Sequence, residues 1–95
     1  MQETTVFVVR MFDRQQYKSR HLGVCDSIEI AREFATKGAE AQYPGINWQT
    51  DWIDDTHIGD EWYRDFCTAN GHEAYSLIIQ PNNLINRFIL DHPIA

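Results

Sequence analysis

One stretch of this chain, Asp26 to about Gln42, repeats its apolar residues at helical spacing, while the runs on either side alternate with the period of a strand. This contrast constrains the fold more than any other feature. A lone amphipathic helix has one apolar face to bury, and strands supply the surface on which to bury it. Asp26 is the expected N-cap, with Glu29 three positions on as its capping-box partner, and Tyr43, Pro44 and Gly45 stop the helix. At about 100° per residue, Ile28, Ala31, Phe34, Ala35, Gly38 and Ala39 fall on one broad side with Ile30 at its margin. Glu29, Arg32, Glu33, Thr36, Lys37 and Glu40 fill the other.

Thr4 to Phe12 reads as a first strand with apolar residues on both faces, which predicts a central position in a sheet. Lys18 to Cys25 follows across the polar stretch Asp13 to Gln16 as its hairpin partner, with Gly23 marking a bulge or a close backbone contact. Beyond the Pro44-Gly45 turn, Ile46 to Ile53 alternates Ile46, Trp48, Thr50 and Trp52 with Asn47, Gln49 and Asp51, and Asp54 to Asp60 reads as a connection. Glu61 to Thr68 sets Trp62, Arg64 and Phe66 opposite Tyr63, Asp65 and Cys67. Asn70-Gly71 predicts a hairpin turn into a last strand, Glu73 to Gln80, which Pro81, Asn82 and Asn83 end. Leu84 to Leu90 reads as a short closing helix or an extended segment. The expectation is an α+β, two-layer fold in the order ββαβββ. It has a mainly antiparallel sheet of four to five strands with one amphipathic helix packed on one face. Its 95 residues, 43% of them hydrophobic, suffice for one core, so residues 1–95 are expected to form a single domain.

Charge is distributed unevenly along this frame. Asp51, Asp54, Asp55, Asp60, Glu61, Asp65 and Glu73 stand against one base, Arg64, so this segment holds the chain's whole formal net charge of −6. Trp52, Trp62, Tyr63 and Phe66 lie within it and Trp48 just before it. Two readings of these aromatics stay open: they are core residues on inner faces, or some are anchors for a partner that the acids attract. An acidic surface repels nucleic acid and anionic membranes and suits a basic protein surface. No apolar run approaches the roughly 20 residues of a membrane span, and no signal peptide is evident at the start, so a cytoplasmic location is expected.

Catalytic and metal-binding patterns are weak. An EF-hand register from Asp54 puts Gly59 at its sixth position and Asp65 at its twelfth, but sets Ile58 at a ligand position. His21, His57, His72 and His92 have no ligand spacing, and Cys25 and Cys67 no C-x-x-C partner, so neither a metal nor a cofactor is expected. Cys67 and His72 lie close in sequence without an identifiable third group to orient them, and the cysteines read as reduced thiols. Arg10, Arg14, Lys18 and Arg20 gather around the first hairpin, giving the molecule a dipolar character.

The run from VFVVRMFD through GVCDSIEIAREFA resembles the hairpin-then-helix opening of many small bacterial and phage domains. It covers about a third of the chain. In size and acidity the chain is similar to phage-encoded inhibitors of host defence, including anti-CRISPR proteins, several of which imitate nucleic acid. That resemblance carries no residue roles with it, and for a phage protein it implies the host cytoplasm. The expected function is a non-enzymatic acidic binding protein that occupies a basic, nucleic-acid-binding surface of a host protein. Asp51, Asp54, Asp55, Asp60, Glu61 and Asp65 would imitate phosphate, with Trp52, Trp62 and Tyr63 as anchors. The alternative is a structural or assembly module that self-associates as a homo-oligomer.

Overall fold

The computed structural model describes residues 3–55 and 61–85. Its elements are β1 (Glu3–Asp13), β2 (Lys18–Cys25), α1 (Ile28–Gln42), β3 (Asn47–Trp48), β4 (Ile53–Asp55), β5 (Glu61–Cys67) and β6 (Ala74–Ile85). The two-faced apolar run lies inside the sheet, as its pattern predicts. β1 pairs antiparallel with β2 on one side and β6 on the other, β5 lies beyond β6, and β3 and β4 share the outer side of β5. The fold is therefore α+β, an antiparallel sheet with one helix on one face. α1 leaves from one edge strand, β2, and returns the chain to the other edge at β3.

The helix-facing core follows from register. Val9 stands opposite Ile79, Met11 opposite Leu77 and Phe66 opposite Tyr75, and all six are buried beneath α1. The helix contributes Ala31, Ala35 and Ala39, each 0% exposed. These three small side chains, spaced i, i+4 and i+8, bring the helix backbone close to the sheet, which leaves no depth for larger residues beside them. The core face is accordingly narrower than the broad apolar side read from sequence: Phe34 is 39% exposed and Gly38 faces open space. The cap also differs from expectation by one residue. Ser27, extended at φ −140° and ψ 154°, is the N-cap, and its Oγ accepts the Ile30 N–H at 3.2 Å in place of the expected Asp26.

One local expectation is met and two further differences have local causes. The bulge falls beside Gly23, where Val9 pairs with Gly23 and Arg10 with His21, leaving Leu22 as the additional residue. β6 does not end at Pro81 but runs on to Ile85, so Leu84 and Ile85 are strand, while the rest of the Leu84–Leu90 segment lies outside the described residues. The Arg14 N–H bonds the carbonyl of Ala74, so even-numbered residues of β6 direct their backbone groups to β1 and odd-numbered ones away from it. Pro81 thus turns its missing N–H to the β5 side, where among the described residues pairing runs no further than Ile79. The predicted strand Ile46 to Ile53 is broken into β3 and β4, and that break shapes the candidate site.

Candidate functional site

Trp48 pairs with Phe66 and Ile53 with Tyr63, so four residues, Gln49 to Trp52, lie opposite two, Arg64 and Asp65. The surplus is held by specific bonds. The Gln49 N–H donates to the Asp65 carbonyl at 3.0 Å, the Asp65 N–H donates to Thr50 Oγ1 at 3.0 Å, and Arg64 Nε donates to the Thr50 carbonyl at 3.0 Å. Arg64 also lays its guanidinium 3.8 Å from the centroid of the Trp48 ring. Asp51 Oδ1 accepts the Trp52 N–H at 2.8 Å, and Trp52 packs against the helix-side core. The alternation predicted for Ile46 to Ile53 fails here because side chains replace the backbone partners that an unbroken ladder would supply.

The predicted acids divide between the two sides of this edge. Asp54 stands directly opposite Trp62, which packs on the helix-side core, and both Asp51 and Asp54 are exposed. Glu61, Tyr63 and Asp65 occupy the other face of β5, where with Phe12, Arg14, Ser76 and Ile78 they line a shallow recess of about 360 Å³. Glu61 and Asp65 are about 13 Å apart along the strand. Each has one oxygen engaged: Ser76 Oγ donates to Asp65 Oδ1 at 2.6 Å, and Gln80 Nε2 donates to Glu61 Oε1. The backbone of Asp55 pairs with Glu61. The side chain of Asp55 and the whole of Asp60 lie outside the described residues, as do Gly59 and Ile58 of the EF-hand register. Of the aromatic candidates, Trp52 and Trp62 face the helix side and Tyr63 the open side, all three half-buried.

Sequence reasoning missed the contribution of the helix. Glu29, Arg32, Glu33, Thr36, Lys37 and Glu40 line a groove of about 450 Å³ whose far wall is Trp52. Three carboxylates from α1 thereby face the same edge as Asp51 and Asp54. The signal was present in the polar flank of the helical pattern, but only the break between β3 and β4 brings Trp52 against it. Lys37 neutralises Glu33 in part through a contact of 2.6 Å, and its hydrogen bond and charge hold the Glu33 carboxyl below the usual range. Arg32 Nε is buried at this groove with no hydrogen-bond partner among the described residues.

Such an edge can hold cationic groups: exposed carboxylates supply charge, and aromatic walls accept guanidinium or ammonium faces. Among the described residues no three His, Cys, Asp or Glu side chains are grouped to hold a metal ion. Cys25 and Cys67 are both unpaired; Cys25 lies under the helix and Cys67 on the opposite face of the sheet. Among the described residues no helix is long and apolar enough to cross a membrane. Compared with protein-family models, curated proteins and solved structures, the chain matches none.

Proposed function

We propose that this protein is a non-enzymatic inhibitor whose acidic edge occupies a basic, nucleic-acid-binding surface of a host protein, in the manner of phage anti-defence proteins. One observation carries the reading. Asp51, Asp54, Glu61 and Asp65 gather around one broken sheet edge, and the sole ion pair among the described residues is Glu33 with Lys37, on the helix. Carboxylates left without internal cations retain their charge for an external one, and an interrupted edge offers side chains in place of a regular backbone ladder. On this reading Asp51 and Asp54 form the steering front. Trp52 and Tyr63 flank it on either side of the sheet, and Trp62 supports it from within.

The test is capture from a bacterial lysate with the wild-type chain and with a double variant, Asp51→Lys with Asp54→Lys. A partner that salt and duplex DNA both release, and that the double variant fails to retain, supports the proposal. Equal capture by the two proteins, or retention indifferent to salt and DNA, refutes it.

A further inference from the structure

The opposite edge of the sheet carries a different surface. β2 pairs with β1 alone, so one side of its backbone is unpartnered among the described residues. The flank of α1 that bears Glu29, Arg32, Glu33, Thr36 and Glu40 faces Trp52 at the β3–β4 edge, so the other flank lies towards β2. That flank presents Ile30, 53% exposed, and Phe34, 39% exposed, followed by Gly38 and Ala41, both exposed. A Cβ added at Gly38 would meet nothing within 4 Å. The end of the helix is tied to the same strand, because Arg20 Nη2 donates to Gln42 Oε1. An apolar helical flank thus runs beside a free strand edge.

We propose that this edge binds a second copy of the chain, β2 against β2 in antiparallel register, about a two-fold axis perpendicular to the sheet. Antiparallel pairing of identical edges requires that axis, which leaves both helices on the same side of a continuous sheet. Ile30 and Phe34 of each protomer then cover the corresponding flank of its mate, and Gly38 admits the approach. Charge selects this arrangement. Exposed Lys18 opens β2 and exposed Asp26 follows its last residue, so antiparallel pairing sets the basic start of each strand beside the acidic end of the other. A parallel arrangement would oppose like charges at both ends. Neither Lys18 nor Asp26 has an ion-pair partner among the described residues. The acidic edge stays at the two distal ends of such a dimer, so this inference stands independently of the function proposed above.

Sedimentation velocity over a concentration series tests it, with circular dichroism to confirm that each variant is folded. The wild-type chain is expected to pass from monomer to dimer. Ile30→Glu with Phe34→Glu, both on an exposed flank, should raise the dimer dissociation constant at least about tenfold, equivalent to roughly 1.4 kcal/mol. Lys18→Asp alone should also weaken association, and Lys18→Asp combined with Asp26→Lys should restore it. A monomer at every concentration would overturn the proposal and leave Lys18 and the Leu22 bulge as guards of a solitary edge. A dimer unaffected by the glutamates, or a charge exchange that restores nothing, would overturn it equally.

Discussion

The guanidinium of Arg64 lies 3.8 Å from the centroid of Trp48, and its Nε bonds the Thr50 carbonyl at 3.0 Å. A residue on the helix-facing side of β5 thereby ties down the segment between β3 and β4, where the backbone ladder is interrupted. Arg64→Ala removes the stack and the charged hydrogen bond together and is expected to cost about 2 kcal/mol in denaturant unfolding. Arg64→Lys should recover only part of this, because an ammonium lacks the flat face and fixed fork. Tryptophan fluorescence of the folded variant should shift to the red as Trp48 is exposed.

Ser27, rather than the expected Asp26, caps α1. Ser27→Ala is expected to lower stability by about 1 kcal/mol, since the Ile30 N–H loses its acceptor. Asp26→Ala should change it by less than about 0.5 kcal/mol. Thermal unfolding of the two variants checks the order.

Tyr75 gives the fold a limit on the alkaline side. Its hydroxyl donates to Glu73 Oε2 at 2.7 Å and accepts from the Tyr43 hydroxyl at 3.1 Å, and burial, with these neighbours, pushes its ionisation far above the usual value near 10. In the unfolded chain Tyr75 loses its proton near pH 10, whereas in the folded protein it keeps it. The unfolded state therefore binds fewer protons above that pH, and stability is intact below it and falls as pH rises. The slope from this residue approaches about 1.4 kcal/mol per pH unit. Tyr75→Phe should cost about 1 kcal/mol at neutral pH and flatten the alkaline loss, as measured by urea unfolding across a pH series.

The Cys25 thiol is 4% exposed, and burial, with a smaller contribution from the Asp26 charge, raises it above its ordinary value. Alkylation by iodoacetamide at neutral pH is expected to spare Cys25 in the native protein and to reach it once urea unfolds the chain. Mass spectrometry of the digested protein reads the outcome directly.

Asp51 and Asp54 are exposed and take no part in an ion pair among the described residues, and an asparagine at 51 keeps an oxygen for the Trp52 N–H. Asp51→Asn with Asp54→Asn should leave unfolding free energy within about 0.5 kcal/mol of wild type or raise it slightly, while weakening partner capture. A large loss of stability would instead mark them as structural.

The helix, the two hairpins and the central place of β1 were legible because each rests on a repeating pattern. Val9, Met11, Leu77 and Ile79 alternate, and Ala31, Ala35 and Ala39 recur each turn. The break after Trp48 was not legible, since Thr50 and Trp52 continue the alternation and only Arg64 and Asp65, on another strand, reveal that side chains have taken over. Phe34 looked buried because its angle on the helix permits it; three alanines leave the helix too near the sheet. The acids were found as a segment in the sequence. Folding divides that segment between two faces and adds Glu29, Glu33 and Glu40 from the far side of the groove.

The pairing of β1 with β6 also sets the order in which this protein can assemble. Glu3 meets Ile85 and Asp13 meets Tyr75, so the longest ladder of the sheet closes over almost the whole described chain. The hairpin of β5 and β6, turned at Asn70-Gly71 with Gly71 at φ +75°, is local and can form early. Until it docks, β1 and β2 form an isolated pair, marginal in water, and the three alanines of α1 lack Leu77 and Ile79 as a floor. Docking of one hairpin against the other is therefore the step expected to limit folding, by loop closure more than by local propensity.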